Sequence, residues 1–174
     1  MTADEFCSKV MGLVGNPYSK TDCIGVIRQS LGIRCQGTNW LWRSIFNSEK
    51  YRYLTSRGTG APDALLKGMI LFRLKNTIPD GYSDPPDCHH CGVYVGNGIV
   101  VQSNPVPGVF TKNYISSEWN GWGLMKQVDY KFQDFVQDNE LPFSDLPPDP
   151  EQEAEIELSD HEMIKAIYNK LIKD

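Results

Sequence analysis

Cys23, His90 and Gln102 supply a thiol, an imidazole and a neutral amide, the parts of a thiol nucleophile system. Attack on an amide carbon needs a thiolate. A helix N-terminus favours that anion by presenting the positive end of its peptide dipoles to the sulfur. An imidazole beside the sulfur serves as base toward the thiol and as acid toward the leaving amine. A third polar group on one ring nitrogen fixes the tautomer and the ring plane. The developing oxyanion falls to backbone N–H groups at the start of the Cys23 helix, with Tyr18 a side-chain donor nearby.

The elements that must hold these residues are legible from the pattern. Asp22 is placed to cap a helix whose apolar positions Ile24, Ile27 and Leu31 share one face, and Gly32 suits its left-handed C-terminal position. Before it, Thr2-Ala3-Asp4-Glu5 is a capping-box pattern opening a helix with Phe6, Val10 and Leu13 at helical spacing, broken by Gly15-Asn16-Pro17. Residues 33–66 read as irregular, with short helical stretches around 39–46 and 62–66. From Gly68 the period changes to two, and 69–74, 91–95, 99–103 and 124–130 read as strands. Helices first and an antiparallel sheet after them indicate an α+β fold.

Alternation along the strand sends His90, Gly92 and Tyr94 to one face and Cys91, Val93 and Val95 to the other. If Gly96-Asn97-Gly98 forms a three-residue hairpin loop, Gln102 lies opposite Gly92, and His90 and Gln102 are diagonal neighbours. A two-residue loop would carry Gln102 to the other face.

The formal net charge of -5 is unevenly placed, +3 over residues 1–136 and -8 over 137–174. A mildly basic body suits an anionic polymer but is too weak to argue for nucleic acid. The five scattered cysteines, an odd number, argue against a disulfide framework. Cys88-His89-His90-Cys91 invites a zinc reading, but a second ligand pair is missing and adjacent strand residues face opposite ways, so no metal and no cofactor is expected. Residues 1–9 carry Asp4, Glu5 and Lys9 and no apolar run, so neither a signal peptide nor membrane insertion is expected, and synthesis is placed in the cytoplasm.

Several segments together resemble the NlpC-like cell-wall peptidases, papain-like cysteine enzymes that cut the stem peptides of bacterial peptidoglycan. They are Pro17-Tyr18 before Asp22-Cys23-Ile24-Gly25, Gly68-Met69-Ile70-Leu71-Phe72, His90-Cys91-Gly92-Val93-Tyr94, Gly96-Asn97-Gly98 and Val100-Val101-Gln102-Ser103. Trp119-Asn120-Gly121-Trp122-Gly123 is similar to forms found in phage and prophage wall hydrolases. The resemblance covers roughly residues 1–130. It implies a papain-like domain over 1–136, catalysis by Cys23, His90 and Gln102, a substrate-side role for Tyr18 and Asp22, and a peptidoglycan peptide as substrate. It also implies action at the wall after phage lysis or on virion delivery. Ile24 stands where the family commonly has serine, Gln102 where it commonly has histidine, and Ser19-Lys20-Thr21 replaces a longer glycine-rich stretch. The serine is associated with preference for γ-D-glutamyl bonds, so the bond cut stays open.

Two other readings use the same residues. One is an amidase cutting the muramoyl–L-alanine bond, and the other is a non-catalytic wall-binding or virion module on a degenerate hydrolase fold. Residues 137–158 read as an acidic, proline-rich linker, and 159–174 as an amphipathic helix with Met163, Ile164, Ile167, Tyr168 and Leu171 in one stripe, a docking element for a protein partner or a cover packed on the body.

Overall fold

The computed structural model describes residues 1–130; the expected linker over 137–158 and terminal helix over 159–174 lie outside the described residues. Helix α1 spans Ala3–Met11 and begins with the capping box expected of it. Thr2 Oγ1 accepts from the Glu5 N–H at 3.1 Å, and Glu5 Oε2 accepts from the Thr2 N–H at 2.9 Å. Helix α2 spans Cys23–Leu31, with Asp22 as N-cap and Gly32 ending it at φ 66°. Its Ile24, Val26 and Ile27 are buried. Helix α3, Thr38–Arg43, runs into a 3-10 turn at Ser44–Phe46, within the stretch expected to be helical.

Residues 62–66 form no helix. Five residues are too few to offset the cost of nucleation, and the chain just after them is drawn into the sheet. The Gly68 N–H bonds Tyr94 O at 2.7 Å, and the Tyr94 N–H bonds Met69 O at 2.9 Å.

Among the described residues six antiparallel strands form one sheet: β1 (Leu54–Thr59), β2 (Ile70–Lys75), β3 (Asp87–Gly96), β4 (Ile99–Asn104), β5 (Gly108–Asn113) and β6 (Gly121–Met125). Their order across the sheet is β1-β6-β2-β3-β4-β5, which makes β3 central. The chain is therefore α+β. Strands β1 and β5 were not anticipated. Both are edges, and β1 reads Leu-Thr-Ser-Arg-Gly-Thr, with little apolar alternation to reveal it. Strand β6 starts and ends earlier than the expected 124–130, because Gly121 and Gly123 hide its pattern. The first of these is closely packed: a Cβ at 121 would lie 2.7 Å from Leu74 Cδ1, and Leu74 would have to shift.

The sheet has two unlike faces. Phe72 packs edge-on against Trp42 of α3 at 5.2 Å, Cys91 sits across from Phe72, and Ser103 Oγ donates to Thr21 O at 2.6 Å just ahead of α2. That is the helix side. Arg73 pairs with His90, and Gly92 with Gln102, so these side chains share the opposite face with Trp119, which stacks on His90.

Candidate active site

The hairpin joining β3 and β4 sets the position of Gln102. Of the two loop lengths considered, the shorter is present: Gly96 pairs with Ile99, leaving Asn97 and Gly98 as a two-residue turn with φ 52° and 70°. Alone, that turn would point Gln102 away from His90. A bulge between Tyr94 and Gly96 adds the missing step, and Gln102 falls opposite Gly92 as expected. The His90 Nε2–H then meets Gln102 Oε1 at 2.7 Å, with both side chains buried. This bond leaves Nδ1 as the nitrogen for a second partner.

Pairing between β3 and β4 stops at Gly92 and Gln102. Beyond that point His90 and Cys91 on β3, and Ser103 on β4, belong to separating strands. The entry to α2 is anchored here by the Ser103–Thr21 bond. Residues of both faces act on the Cys23 thiol and favour its ionised form, Cys91 from the helix side of β3 and His90 from the other.

The Cys23 thiol is lowered to about 5. The hydrogen bond from Cys91 is the largest cause, and the hydrogen bond and positive charge of His90 add to it, against burial and the Asp22 carboxylate, which both push upward. The other thiols move the other way. Burial pushes Cys35 up to about 11 and raises Cys88, while Cys91 is raised first by its hydrogen bond to Cys23 and then by burial. No disulfide joins the five cysteines, all of which lie among the described residues, and Cys23 is the one of them that is not fully buried. Cys23 is therefore the thiol most readily ionised, partly exposed at a helix N-terminus.

Trp119 closes the side of His90 away from the helices, with ring centroids 5.9 Å apart and planes 21° from parallel. Arg73 lies over the indole at 4.8 Å and bonds Glu118 at 2.6 Å, and Glu118 also pairs with Lys112. Asp22 Oδ1 accepts from the Gly25 N–H at 2.6 Å and from Arg28 at 2.8 Å, so its plain structural duty is the cap of α2. Tyr18 is partly buried near the sulfur, its phenol raised by burial first and then by the charges of Cys23, Asp22 and Cys91. The structure thus brings Cys23, His90, Gln102, Tyr18 and Asp22 into one neighbourhood.

Cys91 and Trp119 join the site without having been anticipated. Alternation predicted that Cys91 would face away from His90, which it does. For Trp119 the available signal was Gly92, which leaves room for a large ring. The Cys88–Cys91 run does not assemble a metal site: among the described residues no group of three or more His, Cys, Asp or Glu is arranged to hold an ion.

No family model matches the chain, and no curated protein matches it. Among solved structures it is similar to the NlpC/p60 domain of the peptidoglycan hydrolase SagA, at 15% identity and a TM-score of 0.47, over 72% of this chain and 100% of that one.

Proposed function

We propose that the chain is a cysteine peptidase that hydrolyses a peptide or amide bond in the stem peptides of bacterial peptidoglycan through a thioester acyl-enzyme. The observation that carries the reaction class is the Cys23 thiol, lowered to about 5 beside a histidine whose other nitrogen is bonded to Gln102. Support for the substrate comes from the segments around Cys23, His90 and Gln102 that resemble the cell-wall peptidases.

The Cys23 thiolate attacks the carbonyl carbon. Within the first turn of α2 the Gly25 N–H goes to the Asp22 carboxylate and the Val26 N–H to Asp22 O, which leaves the N–H groups of Cys23 and Ile24 for the oxyanion. His90 gives its proton to the leaving amine as the tetrahedral intermediate collapses to the thioester. It then takes a proton from the water that releases the acyl group. Gln102 holds the imidazole in one plane without adding charge. Ile24 is buried and presents no hydroxyl to a substrate amine, so a γ-D-glutamyl bond would have to be selected by other groups, Asp22 and Tyr18 among them. Action at the wall after host lysis, or from a virion, belongs to the same proposal.

The test is turbidity loss of purified sacculi with mass analysis of the released fragments. Clearing by the wild type, by Cys7→Ala and by Cys35→Ala, but not by Cys23→Ala, is the expected result. Equal clearing by Cys23→Ala would overturn it. Intact peptides freed from intact glycan would identify the muramoyl–L-alanine bond, and trimmed peptides a bond within the stem.

A further inference from the structure

Glu118 holds two cations at once, Arg73 at 2.6 Å on one carboxylate oxygen and Lys112 on the other. The two cations come from strands that are not neighbours. In the order β2-β3-β4-β5, Arg73 lies on β2 and Lys112 on β5, with the strands of His90 and Gln102 between them. The register places all four side chains on one face. Arg73 pairs with His90, Gly92 with Gln102, and Tyr94 with Val100, which pairs in turn with Lys112. A carboxylate that reaches both cations therefore spans β3 and β4, on the face where the imidazole meets its amide.

The next residue is Trp119, 2% exposed and stacked on His90. The chain is anchored just beyond it. Asn120 Oδ1 accepts from the Leu74 N–H at 2.7 Å, and Asn120 Nδ2 donates to Leu74 O at 2.9 Å, which fixes one side of the indole to β2. On the other side the chain arrives through a 3-10 turn of three residues, Ser116–Glu118, none of them buried. A turn that short has little rigidity of its own. The two ion pairs of Glu118 supply the missing anchor, and Arg73 adds a cation–π contact with the indole at 4.8 Å.

We propose that Glu118 is a positioning residue for His90: by bridging Arg73 and Lys112 it holds Trp119 against the imidazole and keeps water from the His90–Gln102 hydrogen bond. This rests on His90 being the acid and base of the proposed reaction, but the enclosure can be read on the ring itself. Water that competes for the Gln102 amide leaves the ring free to tilt, and a tilted imidazole loses part of its advantage in proton transfer. The side chains of the three charged residues are 25–39% exposed, so losing their pairing loosens the turn without unfolding the sheet.

The experiment is solvent exchange of the His90 Nε2 proton, followed by NMR in the wild type, Glu118→Gln, Trp119→Leu and the double variant, with thermal melting of each. The wild-type proton should give a resolved, slowly exchanging resonance. Glu118→Gln should exchange roughly threefold to thirtyfold faster, the range that two partly exposed ion pairs can contribute. Because Glu118 acts through Trp119, adding Glu118→Gln to Trp119→Leu should change the rate by less than about twofold. Lys112→Met, on an edge strand, should accelerate exchange by less than Glu118→Gln, and it gives a reading even if Trp119→Leu fails to fold. In hydrolysis, Glu118→Gln should lower kcat roughly threefold to tenfold with KM little changed. The proposal is overturned by a wild-type proton that already exchanges freely, by wild-type exchange in Glu118→Gln, or by a full effect of Glu118→Gln in the Trp119→Leu background. An unchanged kcat in an active enzyme overturns it as well. If exchange behaves as expected while the wild type clears no sacculi, the role of Glu118 in holding the ring stands and the hydrolase reading falls.

Discussion

Gly92 and Trp119 occupy one space between them: a Cβ at position 92 would come within 2.9 Å of the indole Cη2 and 2.8 Å of Val100 Cγ1. The indole that fills this gap is the ring stacked on His90. Gly92→Ala is therefore expected to cost about 1–3 kcal/mol of stability through overpacking. It should also push the indole off the imidazole. Thermal melting reads the first effect. The chemical shift of the His90 ring protons, which lie in the ring current of Trp119, reads the second. A variant that melts and resonates like the wild type would show that the indole is not held by this contact.

The bond from Gln102 orients the His90 ring, and the amide adds no charge of its own. Gln102→Ala should lower kcat by roughly tenfold to a hundredfold, the range of a general acid–base contribution only partly lost, with KM little changed. A rise in KM at constant kcat would assign Gln102 to substrate binding instead.

Asp22 acts on the sulfur and on the helix in opposite senses. Its carboxylate raises the Cys23 thiol, so Asp22→Asn, which keeps an acceptor for the Gly25 N–H, should move the alkylation curve of Cys23 to lower pH. Asp22→Ala removes the charge and the cap together and should cost about 0.5–2 kcal/mol in stability. The ion pair with Arg28 adds little to either comparison, since its side chains are 36% and 38% exposed. A curve moving upward in Asp22→Asn would contradict the assigned sign.

Thiol chemistry should separate the cysteines cleanly. At pH 7 iodoacetamide is expected to modify Cys23 first, because Cys35 ionises only near 11 and Cys88 and Cys91 are raised and buried. Cys23→Ala should slow total alkylation by roughly a hundredfold or more, measured by intact mass. Rapid labelling elsewhere would mean that another sulfur is exposed and ionised.

Legibility in the sequence followed the strength of local signals. Capping by Thr2 and Glu5, the start of α2 at Asp22 and its end at Gly32 were readable because each is a backbone requirement met by a particular residue type. Strands β2, β3 and β4 were readable because each carries three consecutive apolar residues, at 70–72, 93–95 and 99–101. Strands β1 and β5 were not, because an edge strand needs apolar residues on one side at most. The candidates Cys23, His90 and Gln102 were picked out by residue type and position, but the sequence left the hairpin loop open between three residues and two, and the bulge that lets a two-residue turn bring Gln102 to His90 left no signal. Cys91 was invisible as a site residue, since alternation along β3 points it away from His90.

The turn at Asn97-Gly98 and the bulge before Gly96 each shift the pairing of β3 and β4 by one residue, and their effects cancel at Gln102. That cancellation is a constraint on descent. Losing either step alone would turn Gln102 toward the helices and Ser103 toward His90, separating the site at a position remote from its chemistry. Losing both in concert would leave the imidazole and its amide where they are. Lineages that keep this site should therefore vary in hairpin length by paired events, and single-residue insertions or deletions between residues 94 and 99 should be tolerated by the fold far better than by the activity.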